Sequence, residues 1–209
     1  MVKTETYTLN FGPQHPSTHG VLRIVLELDG ETCVGSKTHI GYLHRGIEKL
    51  VEARTYPQVI PYTDRLDYLS GISNNLAYVQ TVEKLMGIEV PERAEYIRVL
   101  VSELMRIANH MVAIGVYVMD LGAVTGVFYP FIEREKILEM LSHLCGARMT
   151  FNYIRIGGVS QDLHPDFEVE LNKFIEQFPK MLKEYHDLVT NNEIFLARTK
   201  NVGAVTKEQ

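Results

Sequence analysis

Two histidines, two prolines and two hydroxyl side chains fall within nine residues, Gly-Pro-Gln-His-Pro-Ser-Thr-His-Gly, from Gly12 to Gly20. An imidazole can bind a metal, pass a proton or hydrogen-bond a ligand near neutral pH. His15 and His19 have the four-residue spacing of a metal-binding helix face, but Pro16 would lie inside that helix, where proline costs about 3 kcal/mol. The pair therefore belongs to a stiff loop. Three readings stay open: a structural turn with solvated histidines, a metal site such as a hydrolase would use, or a loop that handles protons or binds a ligand. A zinc site wants three or four ligands, and His39, His44, His110, His143, His164 and His186 form no matching second cluster. A second candidate is Asp120, which closes the run Met111 to Met119. That run is apolar on every side, the mark of a buried helix, and a carboxylate at its end needs a donor or a cation. The alternative is that Asp120 caps the Leu121-Gly122 turn.

The elements that must position these groups follow from periodicity. Tyr7, Leu9 and Phe11 alternate with polar residues, and Leu22, Ile24, Leu26 and Leu28 recur at period two, so residues 5 to about 42 read as antiparallel β with a hairpin at Asp29-Gly30. The histidine loop is carried between strands. Ile47, Leu50 and Val51 suit a short helix that Pro57 and Pro61 interrupt, and a longer helix is predicted from about Leu66 to Met86, with Gly87 as its stop. Pro91 opens the most hydrophobic helix, ending near Asp120, with a polar stripe of Arg98, Ser102, Arg106, Asn109 and His110. Phe128 to Cys145 reads as an amphipathic helix stopped by Gly146, Phe151 to Ile156 as a short strand, and Asp166 to Val189 as a helix kinked near Pro179. Lys200 to Gln209 reads as a polar tail. The fold class is α+β, mainly α, in a single domain, 1-209, with a β-rich part (1-42) carrying the histidine loop and a helical part (43-209).

Composition narrows the chemistry. A chain of 209 residues, 45% apolar and 22% charged, can bury one sizeable core. A formal charge of −5 leaves no basic footprint, so nucleic acid is not an expected partner. No signal region is visible, and the longest uncharged stretch, Ile107 to Met119, is too short to span a bilayer core of about 30 Å, so the chain is expected to be neither secreted nor membrane-spanning. Cys33 and Cys145 are isolated, which fits a reducing compartment and gives no basis for a metal or iron–sulfur cluster on this chain. There is no phosphate-binding glycine loop, and Gly157-Gly158 lacks dinucleotide spacing. A redox cofactor would have to come from a neighbour or diffuse in.

Four segments occur in an order that carries a resemblance: Gly12-Pro-Gln-His-Pro-Ser-Thr-His-Gly-Val-Leu-Arg23, Ile40-Gly-Tyr-Leu-His-Arg-Gly-Ile-Glu-Lys49, Tyr62-Thr-Asp-Arg-Leu-Asp-Tyr68 and Asn152-Tyr-Ile-Arg-Ile-Gly-Gly158. Together they resemble the D subunit of proton-pumping NADH-quinone oxidoreductase, respiratory complex I. The resemblance covers essentially the whole chain but only the N-terminal half of a typical member, as in a truncated form. It implies a helical bundle related to the large subunit of nickel-iron hydrogenases. Where those enzymes carry Arg-x-Cys-x-x-Cys, this chain has Arg65-Leu66-Asp67-Tyr68-Leu69-Ser70. Asp67 and Ser70 put hard oxygens where soft thiolates would stand, which excludes a nickel-iron centre.

In the vacated cavity the resemblance places a quinone headgroup, ubiquinone or menaquinone, as substrate. It implies that His19 contacts the headgroup, that Tyr68 hydrogen-bonds its other side and that Asp120 partners the histidine. His15 is a candidate pocket residue, with a structural role equally open. Arg65 faces the iron–sulfur cluster of the neighbouring subunit, or forms an ordinary ion pair with Asp64 or Asp67. His44, Arg45 and Arg155 lie in the same motifs without an assigned role. Quinone reduction takes up two electrons and two protons, so donors must aim at the oxygens where charge develops. Imidazolium donates readily, the phenol more reluctantly, and a carboxylate beside the histidine raises its pKa and fixes its tautomer. Loss of that proton would alter the pairing of Asp120 and could bias a bistable loop, linking redox chemistry to proton translocation. The implied partners are the B, C and I subunits and the membrane-embedded H subunit of the same oxidoreductase, on the cytoplasmic side of a prokaryotic inner membrane. A non-catalytic scaffold or assembly fragment of the same complex is the competing reading.

Overall fold

Strands Tyr7–Phe11 (β1), Arg23–Asp29 (β2) and Thr32–His39 (β3) form an antiparallel sheet in the order β1-β2-β3. The computed structural model describes residues 5–13 and 20–208, which separate into two compact units, Met1–Ala53 and Arg54–Gln209. The sheet and the short helix α1 (Ile47–Glu52) belong to the first unit. Tyr7 pairs with Leu28 and Phe11 with Ile24, so the histidine loop does connect two paired strands. At its base Gly12 has φ +87°, and a Cβ there would lie 2.2 Å from the Leu22 carbonyl oxygen, an approach open only to glycine. Across the same strands Arg23 donates to Asn10 Oδ1 at 2.8 and 3.2 Å. The β2–β3 turn falls one residue later than predicted: Asp29 pairs with Thr32, leaving Gly30-Glu31 as the loop, with Gly30 at φ +61°. Only its first residue uses the conformation that glycine tolerates.

The second unit is helical: α2 (Tyr56–Thr63), α3 (Gly71–Met86), α4 (Glu92–Asp120), α5 (Phe128–Cys145), α6 (Phe167–Tyr185) and α7 (Glu193–Thr199) surround the two-residue strands β4 (Ile154–Arg155) and β5 (Gly158–Val159). The chain is thus mainly α with small antiparallel sheets, as the periodicity predicts. Helix α2 forms where the prolines predict an interruption. Pro57 lies in its first turn, where the missing N–H has no helical partner to lose, and the Thr55 N–H donates to Gln58 Oε1 at 3.1 Å. The predicted stops are real: Gly87 and Gly146 end α3 and α5 at φ +66° and +75°. Helix α6 runs through Pro179 without a break, and α7 lies where the sequence predicts no element, capped by Asn192 Oδ1 accepting from Ile194 N at 2.9 Å and Phe195 N at 3.3 Å.

Helix α4 forms the spine. Val101, Met105 and Ala108 on it meet Val79 of α3, Ile137 and Leu141 of α5, and Ile154 of β4 in one apolar core. At 29 residues it is about 43 Å long at 1.5 Å per residue. By length and composition alone it could cross a membrane, contrary to the expectation from its uncharged stretch, and half of its apolar window is buried in the fold. The run Met111 to Met119 is not buried all round: Ile114 and Tyr117 are exposed, and so is Asp120. Apolar composition on every side overstates burial because burial needs a neighbour, and the described residues supply one at Met111, Gly115, Val116 and Val118 but not at Ile114 or Tyr117.

Candidate functional site

The segment between α2 and α3, residues 64–70, is built on a buried carboxylate. Asp64 is fully buried. Its Oδ1 accepts from Asn75 Nδ2 on α3 at 2.9 Å, and its Oδ2 accepts from the backbone N–H of Asn152 at 3.0 Å. The Asn75 side chain is in turn within 2.7 Å of the Thr63 hydroxyl. Burial pushes the Asp64 carboxyl above the usual aspartate value, while the two hydrogen bonds and the charges of Arg65 and Arg155 pull against that rise. Asn152 sits at φ +46°, in the left-handed region that asparagine tolerates better than most residues. Two motifs far apart in sequence, 62–68 and 152–158, are thus joined at one carboxylate.

Beyond Asp64 the chain makes a tight local turn. Ser70 N–H bonds the Asp67 carbonyl at 3.0 Å, Leu69 N–H bonds Asp67 Oδ1 at 3.2 Å, and the Ser70 and Ser73 hydroxyls lie 3.1 Å apart. Asp67 Oδ1 and the Ser70 hydroxyl therefore have local partners. Arg65 donates through Nη1 to the Pro61 carbonyl at 2.6 Å. Tyr68 lies in this turn and not on the long helix, whose first turn begins only at Gly71, and its side chain is 57% exposed.

A second buried charge fixes the 152–158 motif. Arg98, fully buried on α4, donates to both oxygens of Glu83 on α3 at 2.6 and 3.0 Å, to Glu95 at 3.0 Å, and to the carbonyls of Arg155 and Gly158 at 2.8 and 3.0 Å. Gly157 N–H donates to Glu83 Oε1 at 2.7 Å. Burial acts to raise the Glu83 pKa, but the hydrogen bonds from Arg98 and Gly157 and the Arg98 charge outweigh it, leaving the group below the usual glutamate value. This clamp holds the β4–β5 hairpin, and with it Arg155, against α3 and α4.

Of the predicted site residues, Tyr68, expected at the headgroup, and Arg65, expected to face the neighbouring cluster, share one turn, and Asp120, expected to partner the histidine, is exposed at the far end of α4. His15 and His19 lie outside the described residues. The expectation of a buried Asp120 is corrected by its exposure. Two cavities of this unit lie elsewhere: one of about 460 Å³ between Val118, Leu121, Phe195 and Arg198, and an apolar one of about 240 Å³ beside His110, Met111 and Tyr185. Neither is lined by Tyr68, Arg65 or Asp120. Periodicity carries no sign of Asp64, Asn75, Glu83 or Arg98. Asp64 lies inside the segment Tyr62 to Tyr68, and the spacing of Arg98 puts it in a wet stripe.

Over residues 120–209 the chain matches the family model described as the respiratory-chain NADH dehydrogenase 49 Kd subunit. It is 58% identical to the D subunit of NADH-quinone oxidoreductase from Desulforamulus reducens, over 100% of this chain and 57% of that protein. To the proteins of the same name from Clostridium beijerinckii and Carboxydothermus hydrogenoformans it is 59% and 57% identical, over 99% and 100% of this chain and 56% and 57% of theirs. The chain is similar along its whole length to D subunits of NADH-quinone oxidoreductases. It spans a little over half the length of these relatives.

Proposed function

We propose that this chain forms part of the quinone-reduction site of an NADH-quinone oxidoreductase. Tyr68 donates a hydrogen bond to one headgroup oxygen and His19 to the other, Asp120 partners His19, and His15 lines the same pocket. Electrons arrive from an iron–sulfur cluster on the neighbouring B subunit, toward which Arg65 presents a fixed positive charge that favours the reduced cluster. The C and I subunits and the membrane-embedded H subunit complete the surroundings, and the assembly lies on the cytoplasmic side of a prokaryotic inner membrane. The fold is of the hydrogenase large-subunit type, and deprotonation of His19 on quinol formation biases the pairing of Asp120, coupling reduction to proton translocation.

The observation that carries this reading is 58% identity to a D subunit of this oxidoreductase across the whole of the present chain. The local geometry supports it. In the 64–70 turn one Asp67 oxygen and the Ser70 hydroxyl already have partners, and the exposed phenol of Tyr68 is open to a diffusible ligand. Reduction of the quinone to the quinol consumes two electrons from the cluster and two protons, the latter passed through His19 and Tyr68 and replaced from water.

The test is Tyr68→Phe in the assembled oxidoreductase. Loss of one neutral hydrogen bond, about 0.5–1.5 kcal/mol, should slow quinone reduction by about 2- to 10-fold with assembly intact. Unchanged turnover would remove Tyr68 from the site.

A further inference from the structure

We propose that Asp64 is the positioning residue of the quinone site, a buried carboxylate whose clamp at the neck of the 64–71 loop sets where the Tyr68 hydroxyl points. This inference rests on the quinone-site reading of Tyr68 given above. The loop leaves α2 at Asp64 and enters α3 at Gly71, and those two residues touch. A Cβ on Gly71 would lie 3.0 Å from Asp64 Oδ1 and 3.2 Å from the Asp64 carbonyl oxygen. Six residues, Arg65 to Ser70, are therefore looped out from a closed neck, with Tyr68 near the tip.

The bonds inside the loop are local: Asp67 with Leu69 and Ser70, Asp67 with the Asn74 side chain at 3.2 Å, and Arg65 with Pro61. The last two tie the loop to α3 and α2, the helices on either side of it, whereas the tie to the 152–158 motif is made at the neck. There each Asp64 oxygen accepts from a different element, Oδ1 from Asn75 on α3 and Oδ2 from the N–H of Asn152 ahead of β4. Tyr68 is 57% exposed, so the region its phenol can reach is set by where the loop backbone holds its Cα. Only a carboxylate satisfies both N–H donors at once. A carboxamide would present an NH₂ to one of them. Burial is tolerated because both oxygens are bonded and the charges of Arg65 and Arg155 are close by.

The experiment is a double-mutant cycle in the assembled oxidoreductase, combining Asp64→Asn with Tyr68→Phe and reading kcat and KM for a short-chain quinone. Displacing a hydrogen-bonding group by about 1 Å can cost up to about 100-fold, and Asp64→Asn is expected to lower kcat by about 10-fold while KM moves by less than about 2-fold. In the Tyr68→Phe background the same replacement should cost less than about 2-fold, because the group it positions is gone. An equal fall in both backgrounds, or none in either, would overturn the positioning role while a slow Tyr68→Phe single variant leaves the quinone reading standing. Full activity of Tyr68→Phe alone would instead sink the quinone reading, and this inference with it. If Asp64→Asn does not assemble, Gly71→Ala, which pushes the carboxylate aside without discharging it, must give the same kcat-selective loss. Failure of both to assemble would make Asp64 a folding residue and refute the proposal.

Discussion

Removing the Arg98 guanidinium is the sharpest test of how the second unit is held together. The side chain is fully buried, and Glu83, its main partner, is 7% exposed. Arg98→Leu would leave Glu83 with the Gly157 N–H as a remaining donor, and would strip the Arg155 and Gly158 carbonyls of their side-chain donors. Breaking one side of a buried pair costs about 3–5 kcal/mol, because the surviving charge is left without compensation. A chain of this size loses about 2–4 °C of Tm per kcal/mol, so the midpoint should fall by about 6–20 °C. Equilibrium urea unfolding followed by circular dichroism gives the free energy, and the double variant Glu83→Leu/Arg98→Leu separates lost pairing from lost packing. Removing both charges is often close to neutral, so the double variant should recover about 2 kcal/mol of the loss, the remainder being the hairpin groups left without partners. A single-variant loss below about 1 kcal/mol, or a double variant as unstable as the sum of the two singles, would refute the clamp.

Three further outcomes rest on the same structure. The Glu83 pKa is lowered on folding, so its contribution is complete above the ordinary glutamate range and disappears as pH falls through the lowered folded value. Acid titration of stability should therefore be shallower in Glu83→Gln than in the parent over that window, and parallel curves would contradict it. At Gly126 a Cβ would lie 2.7 Å from Cγ1 of the buried Val118, a stiff side chain, so Gly126→Ala should cost about 1–3 kcal/mol in thermal melts, whereas a neutral result would show that the contact yields freely. Asn192→Ala removes the cap of α7, a helix with no buried residue, and about 1 kcal/mol of local stability. Amide exchange at Ile194 and Phe195 should quicken several-fold with little change in α4.

The parts of the fold legible in the sequence are those set by local rules. Alternation places β1 to β3, and glycines able to take positive φ mark the ends of α3 and α5. Proline misleads in two ways. Pro57 suits a first helical turn, and α2 forms through Pro61, while α6 continues past Pro179. Charged residues at long range are illegible. Nothing in the spacing of Glu83 and Arg98 says that they meet, since the meeting is made by the packing of α3 on α4. Of the candidate site, the motif Tyr62 to Tyr68 is visible only through the family resemblance, and its anchor Asp64 reads as one more loop acid until Asn75 and Asn152 are seen to converge on it. Asp120 shows the reverse error, an apolar run taken for burial.

The position of the bound quinone decides whether Tyr68 and His19 share one site. A structure of the assembled oxidoreductase with quinone bound should place one headgroup oxygen about 2.7 Å from the Tyr68 hydroxyl and the other within hydrogen-bonding reach of His19. A headgroup bound at full occupancy with no contact to residues 64–71 would contradict it.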